Sequence, residues 1–354
     1  MQAIGRQPQR APDGVPVHYE RHRPEQTSLF WLVQQQHVAT FFAQAEAASG
    51  ADLPQFVKDE FDAFLECGIL AHGLVPDNDH YRGSFAGRVL PLWADAEASK
   101  PNLRGPLLTH LSDACKQPVG PEDLFAYIAA VAAHPGYIER FRSDLATPGL
   151  RIPLTAQAAT FFAATELGRR IVWLHTFGER YADPQAGRDP GAPRLPVGRR
   201  PQVPKGGAIP TTPEGMPDTL TYNVEQQRLN VGSGYIEPVP PAVWHYQVSG
   251  KQVLVQWFSY RKKTRERPLI RDRRKPSPLG DIQPDHWLAE YTTELLNVLN
   301  VLGLLVELEP QAAELLESIC SGPLISEANL RGEGVFFPEG HTPASSPAQQ
   351  SFDL

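Results

Sequence analysis

Between residues 183 and 218 the chain carries nine prolines. Each removes a backbone donor and fixes φ, so neither a helix nor a central strand can pass through. The chain must cross this stretch as an extended loop or linker. Arg188, Arg194, Arg199, Arg200 and Lys205 are seeded along it.

On either side the apolar periodicity is mostly helical. Leu29, Trp31, Leu32, Val33, Val38, Phe41 and Phe42 predict a helix over 25–48. Phe56, Val57, Phe61, Phe64 and Leu65 predict a second, stopping at Gly68 and Gly73. The Pro76-Asp77-Asn78-Asp79 seam marks a domain boundary. A helix is predicted over 121–146, with Pro121 at its first position, acidic Glu122 and Asp123 behind it, and an interruption at His134-Pro135-Gly136. Another is predicted from Thr155 to Tyr181.

Beyond the proline-rich stretch, Thr219 to Val224, Arg228 to Val231 and Tyr235 to Val239 read as strands of a small meander. Trp244 to Val248 reads as a strand, Ser249-Gly250-Lys251 as a turn, and Gln252 to Tyr260 as a helix with Trp257 and Tyr260 in the core. Two apolar-faced helices follow at 285–306 and 309–320. The expected fold is α+β, predominantly helical with a small β meander in the C-terminal half. Its parts are a disordered tail (1–17), a small helical segment (18–75), a helical part (79–182), the linker loop (183–218), an α/β part (219–335) and a disordered tail (336–354).

The 354 residues suggest two or three domains, and the net charge of −7 excludes a uniformly basic nucleic-acid coat. It does not exclude a local patch. From Arg261 to Lys275, nine Lys/Arg stand against Glu266 and Asp272, a local +7 that leaves about −14 for the remainder. Cys67, Cys115 and Cys320 are far apart and odd in number, which argues for a reducing cytoplasm. No signal peptide is visible, and the longest apolar run, near Val298 to Val306, is broken by Asn300 and Gly303. A membrane span needs about 20 apolar residues, so no membrane partner is expected.

Several motifs fail on their chemistry. Leu229-Asn230-Val231-Gly232-Ser233-Gly234 superficially matches the first loop of S-adenosylmethionine methyltransferases, but that loop must lead into a helix. Pro238, Pro240 and Pro241 follow at once, so a hairpin turn is expected. Amino-methyltransferases also need a polar-Pro-Pro-aromatic tetrapeptide to grip a flipped base. Val239-Pro240-Pro241-Ala242 has neither the polar acceptor nor the aromatic. Ser249-Gly250-Lys251-Gln252 lacks the upstream Gly and the Ser/Thr after Lys of a phosphate-hydrolysing loop, yet a strand–turn–helix of this kind can hold a DNA phosphate. Cys67, His72 and His80 do not complete a zinc site, no nucleophile elbow occurs, and His175 reads as structural. The DNA-binding candidates are therefore Ser249, Lys251, Gln252, Arg261, Lys262, Lys263, Arg265, Arg267, Arg271, Arg273, Arg274 and Lys275.

The stretches GRVLPLW (Gly87 to Trp93), PEDLFAYIAAVAAHPGYIERF (Pro121 to Phe141), LRIPLT (Leu150 to Thr155), ELGRRIVWLH (Glu166 to His175), VWHYQVSGKQVLVQWFSYRKK (Val243 to Lys263) and EYTTELLNVL (Glu290 to Leu299) occur in order between Tyr81 and Leu330. Together they resemble the C-terminal specificity, or target-recognition, region of type ISP restriction–modification enzymes, over about residues 79–335. The stretch from Val243 to Arg261 is also similar to a motif in target-recognition regions of other large N6-adenine methyltransferases. Residues 18–75, with HYERHRPEQTSLFWLVQQQHVATF (His18 to Phe41) and LPQFVKDEFDAFLECGILAHG (Leu53 to Gly73), resemble instead the N-terminus of IS91-type transposases. That family continues into zinc ligands of the Cys-x-x-Cys kind, from which this chain departs at Leu74.

The first resemblance implies sequence-specific recognition of double-stranded DNA, cytoplasmic, for a methylase or translocase polypeptide. No cofactor is expected in this chain itself; S-adenosylmethionine belongs to a full-length or partner methylase. The chain is not expected to be an enzyme by itself and has no catalytic or metal-binding residues. The alternatives are a DNA (adenine-N6) methyltransferase acting with a separate catalytic partner, or a degenerate chimeric gene product joined at the seam.

Overall fold

The structure, a computed structural model, describes residues 28–32, 68–72, 88–95, 98–103, 105–145, 151–248, 251–263, 284–332 and 335. In chain order its elements are β1 (Ser28–Leu32), β2 (Gly68–His72), β3 (Arg88–Pro91), α1 (Gly105–Cys115), α2 (Pro121–Ala132), α3 (Pro135–Arg140), α4 (Arg142–Leu145), α5 (Ala158–His175), β4 (Leu220–Asn223), β5 (Arg228–Val231), β6 (Gly234–Ile236), α6 (Pro241–Trp244), β7 (Gln247–Val248), β8 (Lys251–Gln252), α7 (Val253–Ser259), α8 (Ala289–Ser321) and α9 (Glu327–Gly332). The fold is α+β and mostly helical, as the periodicity predicts.

The centre is the α2–α5 pair. α2 starts where the sequence expects it, with Pro121 at its first position and the Gly120 N–H donating to Asp123 Oδ2 at 2.8 Å. Its small residues Ala126, Ala129 and Ala130 are buried, and they let α5 approach closely. At Gly168 of α5 a Cβ would stand 1.7 Å from the Ala126 carbonyl oxygen, so only glycine fits. The Tyr127 and Phe161 rings stack at 4.8 Å across the pair. The helix predicted over 121–146 is instead three pieces. A residue before proline avoids helical backbone, and His134 takes φ −148°, ψ 157° ahead of Pro135.

The two helices predicted over 285–306 and 309–320 are one. α8 runs 33 residues, about 50 Å, through Pro310. Proline inside a helix loses one backbone bond and crowds the carbonyl four residues back. Here Leu308, Ala312, Leu316 and Ile319 are buried on both sides of it, and that packing carries the helix through. α8 is long and apolar enough to cross a membrane, but Leu295, Leu299 and Leu302 lie in the protein core.

The proline-rich stretch contains only two three-residue turns of 3-10 helix, Pro184–Ala186 and Val197–Arg199, as its composition requires. It is nevertheless a docked strap. Arg188 is buried and pairs with Glu166 of α5 and with Asp183. The Trp173 indole N–H donates to the Asp189 carbonyl at 2.9 Å. Leu195 inserts against α8, where its N–H donates to Asn300 Oδ1 at 2.8 Å. A Cβ at Gly303 would meet Leu195 Cδ1 at 2.6 Å. The two residues that interrupt the apolar run of α8 therefore form the seat for the strap.

After the strap, β4, β5 and β6 form the expected antiparallel meander, with Thr221 opposite Asn230 and Asn230 opposite Tyr235. Val231 pairs with Gly234, leaving Gly232 (φ +58°) and Ser233 as the turn. The glycine loop thus turns a hairpin and enters β6, not a helix.

Three local expectations are overturned. The helix predicted over 25–48 contains β1, which pairs antiparallel with both β2 and β3. Its aromatic and aliphatic residues suit a strand once partners some 40 and 60 positions away in the sequence supply hydrogen bonds, and local periodicity cannot see those partners. Gly68 does not stop a helix but opens β2. In the Trp244–Val248 strand, Trp244 instead ends the short helix α6, started by Pro241, and the strand shrinks to Gln247–Val248. β1 to β3 also bridge the 76–79 seam, and the Ala71 N–H of β2 donates to His175 Nδ1 of α5 at 3.1 Å. The predicted helix after Pro54 and both predicted tails lie outside the described residues.

Candidate nucleic-acid interface

The candidate cations enter the fold on the β7–β8 hairpin and α7. Val248 pairs with Lys251 and Gln247 with Gln252. Lys251 is exposed on β8. Gln252 turns inward and its amide donates to the Trp244 carbonyl. The first amide of α7, Val253 N–H, donates to the Tyr246 carbonyl at 3.1 Å. The start of this seven-residue helix is thus tied to the protein, and the phosphate cradle expected of Gln252 is not formed by its side chain.

At the other end of α7 the three cations differ. Arg261 folds back over the Trp257 ring, with its guanidinium carbon 4.1 Å from the centroid, and pairs with Glu294 at 2.9 Å. It also donates to the Trp257 carbonyl at 3.0 Å. Lys262 is half-buried and Lys263 exposed. Backbone bonds from Arg261 and Lys262 to the Phe258 carbonyl, at 2.8 and 3.0 Å, close the helix. Positive side chains here also suit the negative end of the helix dipole. Arg261 is therefore an anchor for the basic run, while Lys251 and Lys263 face solvent. Ser249, Arg265, Arg267, Arg271, Arg273, Arg274 and Lys275 lie outside the described residues.

The described chain before residue 264 and after residue 283 meets in one aromatic knot. On the leading side, Trp257 and Phe258 are buried, and the Lys263 N–H donates to the Pro217 carbonyl at 2.8 Å. On the returning side, fully buried Trp287 packs edge-on against Trp257 at 6.2 Å and Tyr291 at 5.4 Å. Its indole N–H donates to Thr292 Oγ1 at 2.9 Å. Trp257 is a core residue, as its spacing predicts. Tyr260 is not: it is 60% exposed, because it caps α7 after the buried turn has ended. Periodicity alone could not separate the two.

Elsewhere, His175 is a structural acceptor, as expected. Burial pushes its imidazole down to about 4, so the neutral ring receives the Ala71 N–H. Among the described residues no group of three His, Cys, Asp or Glu side chains is placed to hold a metal. Cys67 and His80 lie outside them.

A family model described as the Type ISP C-terminal specificity domain matches residues 65–298. The chain belongs to this family. The specificity domain so matched begins before the seam, takes in β2, and includes the whole of the basic run. Among curated proteins no match is found. Similar solved structures include a cryoEM structure of a DrdV–DNA complex, at 17% identity and a TM-score of 0.47, with 84% of this chain and 25% of that one covered. They also include the ATP-dependent Type ISP restriction-modification enzyme LlaBIII bound to DNA, at 11% identity and a TM-score of 0.49, with 85% and 16% covered. A nuclease-deletion mutant of the Type ISP enzyme LlaGI with a DNA substrate mimic shows 14% identity and a TM-score of 0.45, with 85% and 22% covered. The chain spans a quarter or less of the length of each of these proteins.

Proposed function

We propose that this specificity domain reads duplex DNA for a methylase that lies on another segment or on a partner polypeptide. The observation that carries the reading is the basic run inside the family match: a local +7 in a chain of −7, whose first residue, Arg261, is anchored on a buried aromatic knot. Phosphate contacts need clustered cations on a fixed mount, not a basic protein overall. Lys251, Lys262 and Lys263, with Arg265, Arg267, Arg271, Arg273, Arg274 and Lys275, supply them in this proposal, while Ser249 and its neighbours in the hairpin turn approach the backbone.

Methyl transfer and S-adenosylmethionine are assigned to the methylase segment. The chain's glycine loop turns a hairpin, and its Pro-Pro pair carries neither the polar acceptor nor the aromatic that grip an extruded adenine. Fluorescence anisotropy with a labelled mixed-sequence duplex, repeated over a range of salt, tests the reading. Affinity is expected to fall steeply with salt. Replacing Arg271, Arg273 and Arg274 together with Ala is expected to reduce the log–log slope by up to about 3. An unchanged slope sinks the assignment of the run to phosphate.

A further inference from the structure

We infer that the first half of the proline-rich strap is a second phosphate-contacting surface, on which Arg194, Arg200 and Lys205 hold the backbone of a DNA duplex; the inference deepens the DNA reading above and rests on it. It draws on no cation beyond Lys263. Three observations carry it. First, charge is segregated along the strap. Between 188 and 205, the five cations Arg188, Arg194, Arg199, Arg200 and Lys205 stand against Asp189 alone, a local +4 in a chain of −7. Between 206 and 218 there are two acids, Glu214 and Asp218, and no Lys or Arg. A polyanion is drawn to the first half and not to the second.

Second, these cations divide by role. Arg188 is buried and committed to Glu166 and Asp183, which makes it a pin. Arg194 and Lys205 are exposed and pair with no described carboxylate. Arg200 commits its Nε to the Leu195 carbonyl at 3.1 Å, and its terminal nitrogens have no described partner. Arg199 pairs with Glu307, but both side chains are well solvated, and such a pair is weak enough for a phosphate to replace the carboxylate.

Third, the strap holds its cations still. Five prolines, Pro190, Pro193, Pro196, Pro201 and Pro204, fix φ along it. Asn300 holds the Leu195 N–H, and Gln202 and Glu237 exchange backbone bonds at 3.0 Å in both directions. The Tyr235 N–H donates to the Gly207 carbonyl at 2.8 Å, which ties the chain just past Lys205 to β6. Near the far end, the Pro217 carbonyl accepts the Lys263 N–H, so the strap also meets the last described cation of α7. Cations on a pinned chain lose little freedom when phosphates arrive, whereas a free basic loop would have to be ordered first.

The test reads the salt dependence of duplex binding by fluorescence anisotropy. The double variant Arg194→Gln with Lys205→Gln touches no described partner, so its melting temperature is expected to match the wild type. Its log–log salt slope is expected to shrink by up to about 2, one counterion set for each lost phosphate contact. The loss is expected to be the same on two duplexes of unrelated sequence, because phosphates carry no sequence. Lys100→Gln with Lys116→Gln changes the net charge equally on the α1 side and is expected to leave the slope alone. A wild-type slope for the strap variant overturns the inference, as does an equal loss in the Lys100 and Lys116 control or a loss confined to one sequence. A reduced slope for the strap variant beside an unchanged one for the Arg271, Arg273 and Arg274 replacements upholds the strap and removes the phosphate role of the later run. No duplex binding by the wild-type chain at low salt overturns the DNA reading itself, and this inference with it.

Discussion

The backbone N–H of Leu195 donates to the side-chain oxygen of Asn300, 105 positions later, and the same asparagine donates to the Leu296 carbonyl at 2.7 Å. Asn300 is fully buried, so both ends of its amide are satisfied without water. Its replacement by Ala leaves the Leu195 donor buried and unpaired, at a cost of about 1–3 kcal/mol. Calorimetry is expected to show a lower melting temperature for Asn300→Ala. Asn300→Leu is expected not to restore it, because bulk without an acceptor leaves the same donor stranded.

Gly168 tolerates no side chain. A Cβ there would overlap the Ala126 carbonyl, and that oxygen belongs to helix backbone that cannot swing aside. Gly168→Ala is expected to destabilise by more than about 3 kcal/mol. The urea midpoint should drop sharply, or the variant should be recovered only in aggregates. A midpoint equal to wild type would show that α2 and α5 are not in contact at this point.

Arg261 and the arginines beyond it should separate cleanly. Arg261 is 13% exposed and tied to Glu294, Trp257 and Tyr291. Arg261→Ala is expected to lower stability by about 1–3 kcal/mol, discounted for the partly solvated Glu294, and to leave the DNA salt slope of the folded protein alone. The Arg271, Arg273 and Arg274 replacements are expected to do the reverse. Denaturation midpoints and anisotropy slopes measured on the same preparations distinguish the two.

Burial holds His134 neutral, with its imidazole pushed down to about 4. His175 is lowered to about 4 by the same cause. In the unfolded chain both rise to about 6.5. Between those limits the unfolded state binds more protons, so stability is full above pH 6.5 and is lost as pH falls toward 4. The two rings together contribute a slope of about 2.7 kcal/mol per pH unit at most in this window. The urea midpoint is expected to fall through that range, and His134→Gln, which cannot titrate, is expected to flatten the fall.

Much of this was legible in the residues. Pro121 with Glu122 and Asp123 marked the start of α2, and Pro135 marked where the helix ends. Gly232 and Ser233 between β-prone stretches marked the hairpin. The basic run stood out by charge alone. The misreadings share one cause: a partner far away in sequence. β1 looked helical because Gly68–His72 and Arg88–Pro91, which make it a strand, are distant. Residues 285–306 and 309–320 read as two helices because the core that holds α8 together on both sides is made by other elements. Tyr260 and Trp257 sit three positions apart, and only the placement of Trp287 shows which one the core claims.

The three-stranded sheet at the beginning of the chain has a practical corollary. β1 lies between β2 and β3, so its 28–32 stretch is sewn into the body on both flanks. A shortened gene opening at residue 79 would leave Arg88–Pro91 with its amides and carbonyls bare, an invitation to stick to its own copies. Anyone seeking a soluble minimal fragment should place the cut upstream of Ser28, whatever the ancestry of that region.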